Sequence, residues 1–348
     1  MDKELHGRGA FINPANRFEK ILIERDEEVS DEDYPSLKTE FFKDTSKSIV
    51  SYNDSPDIGF SASLNPYRGC EHGCVYCYAR PTHEYFGLSS GWDFESKIFV
   101  KMDAAALLRK ELAHPKWKPQ VVVVSGVTDC YQPFERKFQV TRQCMEVLLE
   151  FRNPVGIITK NRLVVRDADV FKQMAEYDGV CVTVSVTSLD AHVARTMEPR
   201  ASTPANRLKA VEELAKAGVP VSVNVAPIVP GLTDHEIPAI LKAAVNAGAQ
   251  SAGYTVVRLP YAVKDLFERW LQEYFPDRKD KVLNRIRELR GGALYDSGFG
   301  TRMSGTGLFA EHIRDLFDMG YKRAKFPGRI RLSAANFRNP NNQQLTLF

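Results

Sequence analysis

The stretch Cys70-Glu71-His72-Gly73-Cys74-Val75-Tyr76-Cys77-Tyr78 decides how the rest of the chain is read. It supplies three thiols at a C-x3-C-x2-C spacing. A structural zinc ion takes four closed ligands, usually two C-x2-C pairs, or one such pair with two histidines three to five residues apart. Neither set is complete here. A [4Fe–4S] cluster takes up to four cysteines, and with three it keeps one iron open to a small molecule. Three buried free thiols, or a zinc site completed by His72, are the competing readings.

Upstream of this loop, residues 1–55 are polar, with an acidic run from Glu24 to Asp33. They read as an arm over the domain, partly disordered. From Ser61 onward β and α signals alternate. Apolar, β-branched runs occur at 97–100, 121–124, 155–159, 180–186, 219–228 and 253–259. Helical patterns lie between them at 104–112, 140–151, 168–177, 204–217 and 237–247. Runs apolar on both faces and separated by helices predict an α/β fold, with a parallel sheet closed or half-closed by crossover helices. Gly218 and Gly248 fall where helices end. A first strand around 58–64 would deliver the cysteine loop, and chemistry in such folds sits at the C-terminal strand ends.

Beyond Pro260, helical patterns at 264–274, 281–290 and 311–319 predict a C-terminal helical extension. Within it, Ser297-Gly-Phe-Gly-Thr-Arg-Met-Ser-Gly-Thr-Gly307 reads as a flexible substrate loop, because no strand precedes it and no P-loop motif is present. The expected organisation is therefore an arm (1–55), a barrel (56–260), a helical subdomain (261–335) and a tail (336–348).

With 348 residues and 43% hydrophobic content the chain can bury a full core. Its formal net charge of +3 neither demands nor excludes a polyanionic partner. Its six cysteines fit a reducing compartment, with Cys130, Cys144 and Cys181 read first as small buried hydrophobes. The amino terminus has no signal-like apolar run and no segment is long enough to cross a bilayer, so a cytoplasmic location is expected.

The cysteine spacing, with Tyr76 just before the last thiol, resembles the signature of the radical S-adenosylmethionine (SAM) superfamily. The run Thr128-Asp129-x-Tyr131-x-Pro133-x-Glu135 is similar to that of spore photoproduct lyase and its wider set of bacterial relatives. So are Ile157-Ile-Thr-Lys160, Val184-Ser185-Val-Thr-Ser-Leu-Asp190 and Ala226-Pro-Ile-Val-Pro-Gly231. The resemblance spans about residues 61–320. It implies a partial (β/α)6-type radical SAM barrel with a [4Fe–4S] cluster on Cys70, Cys74 and Cys77, and SAM as cofactor. It puts Thr128 and Asp129 near the SAM methionyl group, Lys160 on its carboxylate and Ser185 on the ribose. Tyr76, Tyr78 and Ala226 would line the adenosyl moiety.

One departure bears on the chemistry. Where the lyase has a cysteine that returns hydrogen to the substrate radical, this chain has Gly126. Cys130 or Tyr131 would then serve a different quenching path. Glu135 and Arg258, charges at strand ends, are further catalytic candidates, and Glu198 with Arg200 and Arg207 reads as an ion pair on the rim. An electron donor such as flavodoxin or ferredoxin is implied.

The chain ends Gln344-Leu345-Thr346-Leu347-Phe348, apolar knobs on a polar tether, resembling the peptide by which bacterial repair proteins dock onto the DNA sliding clamp. The basic stretch Lys322–Arg331, with Arg338 beyond it, precedes the tether. Together they favour damaged or modified DNA as substrate. The alternatives are a radical SAM enzyme acting on RNA, a peptide or a metabolite, and a zinc-stabilised nucleic-acid or clamp adaptor.

Overall fold

The computed structural model describes residues 7–18 and 37–340. The acidic run 24–33 and the terminal residues Gln344, Leu345, Leu347 and Phe348 lie outside the described residues. Ten strands form two sheets: β1 (Glu40–Lys43), β2 (Val50–Tyr52), β3 (Ala62–Leu64), β4 (Tyr67–Arg68), β5 (Lys97–Val100), β6 (Val122–Val124), β7 (Val155–Thr159), β8 (Val180–Ser185), β9 (Val221–Ile228) and β10 (Ser251–Val256). The larger sheet has the order β10-β9-β8-β7-β6-β3-β2. Its strands β3, β6, β7, β8, β9 and β10 are parallel and sequential, which is the partial (β/α)6 barrel, and only β2 pairs antiparallel at its edge.

Burial patterns follow the residue types. All three valines of β6 are buried, as expected of a strand covered on both faces. By contrast β5 alternates between half-buried and buried positions. Barrel strands such as β7 alternate in the same way, and what separates β5 is its pairing with β1 and β4 in the small sheet β1-β5-β4. The run at 97–100 is therefore no part of the barrel. β1 and β2 likewise give regular structure to the arm.

The crossover helices start and stop on local chemistry. The side chain of Asp190 accepts the His192 and Val193 amides at the start of the helix Ala191–Met197, and Thr203 caps the helix Pro204–Lys216 ahead of a proline at its first turn. Gly218 and Gly248 end two helices at positive φ, 82° and 98°. The C-terminal helices Val263–Tyr274, Pro276–Leu289 and Leu308–Ala324 follow β10.

After them the chain runs under the barrel. Gly328 donates to the Gln250 carbonyl, Ser333 to Asp178 and Arg338 to Phe151. These acceptors precede β10, β8 and β7, so the basic stretch lies at the N-terminal strand ends, opposite the cysteine loop. It does not face the same ligand as the strand-end candidates. No helix among the described residues is long and apolar enough to cross a membrane.

Candidate active site

The cysteine loop follows β3 and β4 and turns at Gly69 and Gly73, with φ of 78° and 67°. A side chain at either would also meet neighbours under 3 Å away, so both conformation and space call for glycine. Cys70 and Cys74 are buried and Cys77 is partly so. Burial pushes all three thiols upward, Cys70 well above its usual range, and Cys70 also feels Asp129, Cys74 and Cys77. Such thiols lose their protons only to a metal that replaces them.

The loop is held by Arg80, fully buried. Its guanidinium donates to the carbonyls of Cys74 at 2.9 Å, Gly73 at 3.1 Å, and Ser90 and Gly91 at 3.1 Å. The buried carboxylate of Glu95 balances its charge. Glu71 binds the loop to the β6 end, accepting from the Phe134 amide while its own amide donates to Gln132.

The sequence candidates at the strand ends divide into committed and open groups. Asp129 accepts from Thr159 Oγ1 at 2.8 Å, the Lys160 amide at 2.8 Å and the Tyr131 amide at 2.9 Å, and lies 3.4 Å from His72 Nδ1. It ties the cysteine loop to the end of β7. Thr128 donates its hydroxyl to the Tyr67 carbonyl. Tyr76 donates to Glu198, which also takes the Thr187 hydroxyl and pairs with Arg207. Arg207 in turn donates to the carbonyls of Ser185 and Ser202. Glu198 and Arg207 are thus a buried pair beneath the site and not a rim pair, while Arg200 reaches Glu71 instead. His72, whose burial pushes its pKa down, lies beside Asn161 and Asp129, a polar setting that already occupies both ring nitrogens.

Lys160, Ser185 and Ala226 stand at or near the ends of β7, β8 and β9. The Lys160 ammonium lies 5.9 Å from the Tyr76 ring centre and has no carboxylate within ion-pair reach among the described residues. At the end of β10 the Arg258 guanidinium stacks 4.7 Å from the Tyr78 ring, its Nε is buried without a partner, and the Tyr78 hydroxyl donates to the Gly126 carbonyl. The glycine-rich stretch is pinned against this corner, with the Val256 amide donating to Met303 and Arg302 paired to Asp57. It is an anchored cover over the β10 end.

Cys130, Tyr131 and Glu135 lie deeper. Cys130 is in the apolar core. Tyr131 donates to Asp167, and Glu135 takes Tyr67, Arg166 and two backbone amides. Tyr131 and Glu135 tie the segment after β6 to β4, to the helix Val140–Phe151 and to the segment after β7.

The three thiols fit an iron–sulfur cluster better than a single ion. Cys70, Cys74 and Cys77 share one loop and supply three of the up to four thiolates such a cluster takes, whereas a structural zinc needs a fourth ligand and both ring nitrogens of His72 are engaged. Lys160 near Tyr76, and Arg258 with its Nε unpartnered and its Nη1 donating to Met303 Sδ, leave positive charge at the strand ends for an anionic group. Sequence reasoning missed Arg80, Glu95 and the amino-terminal residues packed on the loop. The one signal for the latter was Gly7-Arg8-Gly9-Ala10, small residues in an otherwise polar arm.

Comparison with known proteins agrees with this arrangement. The sequence profile of the radical SAM superfamily matches residues 64–244. An uncharacterized protein of Mycobacterium tuberculosis is 34% identical over 234 residues, covering 67% of this chain and 68% of its own. An uncharacterized protein of Methanocaldococcus jannaschii is 29% identical over 199 residues, covering 57% and 71%. Among solved structures, spore photoproduct lyase complexed with dinucleoside spore photoproduct superposes with a TM-score of 0.59 over 82% of this chain and 79% of that one, at 15% identity. That last likeness is one of fold.

Proposed function

Because the chain belongs to the radical SAM superfamily, with a [4Fe–4S] cluster and SAM as its cofactors, we propose that it is a radical SAM enzyme acting on damaged or modified DNA. Cys70, Cys74 and Cys77 would hold three irons, leaving the fourth to the amino and carboxylate groups of SAM. When bound, the cluster and SAM together supply reductive cleavage of the sulfonium and a 5′-deoxyadenosyl radical. An electron donor such as flavodoxin or ferredoxin would feed it.

The protein's own groups then have separate tasks. Lys160 neutralises the SAM carboxylate, Ser185 takes a ribose hydroxyl, and Ala226 with the faces of Tyr76 and Tyr78 lines the adenosyl group. Asp129 and Thr128 act through the backbone, keeping the ends of β4, β6 and β7 in register around the ligand. Cys130, Tyr131 and Glu135 are assigned to support, since none has a free polar atom at the opening. Gly126 carries no thiol, and the Tyr78 hydroxyl donates to its carbonyl.

Arginine stacked on exposed aromatics supports a nucleic-acid substrate. Arg258 lies over Tyr78, Arg302 over Phe299 at 4.7 Å and Arg17 over Tyr261 at 3.6 Å. Tyr261 and Phe299 are more than half exposed. Unpaired bases stack on such surfaces. The terminal peptide Gln344–Phe348 would carry the enzyme to the sliding clamp.

The single observation that carries the reading is the open trio of thiols on one loop facing a lysine and a serine at neighbouring strand ends. Anaerobic reconstitution tests it: about four irons and four sulfides per chain, with SAM-dependent release of 5′-deoxyadenosine, are expected, and Cys74→Ala should lose both. One bound zinc without SAM cleavage would overturn it. Defined DNA lesions should raise 5′-deoxyadenosine formation above the DNA-free rate, and clamp pull-down should fail with Gln344→Ala and Phe348→Ala.

A further inference from the structure

We infer that the amino-terminal segment 7–17 is a retaining strap for the metal-binding loop, and that Arg8 within it tunes the bound cluster. The inference rests on Cys70, Cys74 and Cys77 being the cluster ligands.

The contact is backbone on backbone. A single methyl on Gly9 would collide with the carbonyl oxygen of Gly73, the residue just before Cys74. From the other side, a methyl on Gly73 would come 2.9 Å from Arg8 Cβ. Two chains approach this closely only where neither has a side chain between them. Gly7, Gly9 and Ala10 are buried by the approach.

One carboxylate fastens strap and loop together. Glu95, fully buried, accepts the amides of Arg8 and Gly9, and also pairs with Arg80. Arg80 is the residue that grips the carbonyls of Gly73 and Cys74. A pull on the strap is therefore a pull on the ligand loop through two buried groups. Further along, the Trp92 indole donates to the Ala10 carbonyl, Ser89 to Pro14 and Asn16 to Glu84 and Leu88. The strap packs along the 70–95 segment that carries the cysteines.

Arg8 adds charge. Its guanidinium lies 3.7 Å from Glu71, the neighbour of Cys70, and Arg200 reaches the same carboxylate oxygen at 2.8 Å. Two guanidiniums share one carboxylate, leaving net positive charge next to a ligand of the cluster. Cluster potentials respond to local charge and solvent exposure, so this pair favours the reduced state. Arg8 is a positioning residue and touches no reacting atom.

The test uses the full chain reconstituted anaerobically. Gly9→Ala should accelerate release of iron to a chelator by roughly 10- to 100-fold, the range found when groups that hold metal ligands are removed. Gly320→Ala is the control. There a methyl would meet Leu241 at 2.9 Å and Pro238 at 3.3 Å on the far helix Leu308–Ala324, so it loosens packing away from the loop. Arg8→Gln should shift the cluster potential negative, and Arg8→Lys should restore it. Wild-type protein that holds no iron overturns the ligand assignment and the strap with it. A loaded wild type whose Gly9→Ala variant releases iron no faster than Gly320→Ala overturns the strap alone. An unchanged potential in Arg8→Gln overturns the role of Arg8.

Discussion

Replacing Arg207 with Met removes one half of the buried pair beneath the site, and the structure sets the size of the effect. Arg207 is 1% exposed and donates to Ser202 O at 2.8 Å, to Ser185 O at 3.1 Å and to Glu198. Its loss leaves two carbonyls short of donors, each worth about 1–3 kcal/mol when buried. It also leaves the Glu198 charge with only the Tyr76 and Thr187 hydroxyls. Breaking a buried pair from one side costs about 3–5 kcal/mol, and the methionine stem recovers about 1–2 kcal/mol by filling the space. The net expectation is a loss of about 3–10 kcal/mol, read as a lower urea midpoint at unchanged m value.

The same substitution has a pH signature. Burial by itself would raise the Glu198 carboxyl, but Arg207, then Lys160 and the hydrogen bonds from Arg207 and Tyr76, hold it below the usual carboxylate range. A depressed carboxyl contributes stability above its unfolded pKa, near 4.3, and that contribution is lost as pH falls through the folded value. In Arg207→Met that depression weakens, so Glu198 contributes less to acid destabilisation and the variant's deficit relative to wild type should shrink as pH falls below about 4. A variant that unfolds within about 1 kcal/mol of wild type, well under the range for a broken buried pair, or with an unaltered acid limb, would refute the reasoning.

Three further outcomes are expected. Asp129→Asn keeps Oδ1 for the Thr159 and Tyr131 donors but turns an amide toward the Lys160 amide and should cost about 1–3 kcal/mol by chemical denaturation, since that buried donor goes unmet; a change under about 0.5 kcal/mol would show the carboxylate to be dispensable. Gly126→Cys should fold within about 1 kcal/mol of wild type, because a methyl there meets Ser63 and Phe60 no closer than 3.5 Å; thermal melts and titration of one added accessible thiol check it, and misfolding would show that no such room exists. Lys101, 8% exposed, is pushed down to about 8 by burial and then by Arg68, against Asp44. Its protonation therefore penalises the folded state below pH 8, and the penalty fades as pH rises toward the unfolded value near 10.4. Lys101→Met should be more stable by about 3 kcal/mol at pH 7, with the advantage shrinking above pH 8; equal melts across pH 7–10 would contradict this.

The arm shows where local reading stops. Gly7-Arg8-Gly9 is polar and unpatterned in sequence, and its partners Gly73, Glu95 and Arg80 lie 64 to 86 positions away, where no periodicity links them. Cys130 and Glu135 were attractive because strand-end charges and thiols usually face a cavity. The helix Glu135–Phe138 begins just past β6 and turns both residues inward, and Arg166 then neutralises the Glu135 carboxylate. At 97–100 the apolar run was real, but the choice between two sheets depended on which strands lay beside it.

By itself the sequence determined that three thiols share one short loop, since C-x3-C-x2-C is a local spacing. It also determined the alternation of strand and helix, because hydrophobic period and caps act over a turn or two. Helices such as Val140–Phe151 and Pro204–Lys216 were legible for that reason. Only the tertiary structure decided which charges are free to act. Asp129, Glu198 and Glu135 are exhausted by partners far along the chain, while Lys160 and Arg258 keep donors open, and the balance between solvation and pairing that separates them exists only once distant segments meet.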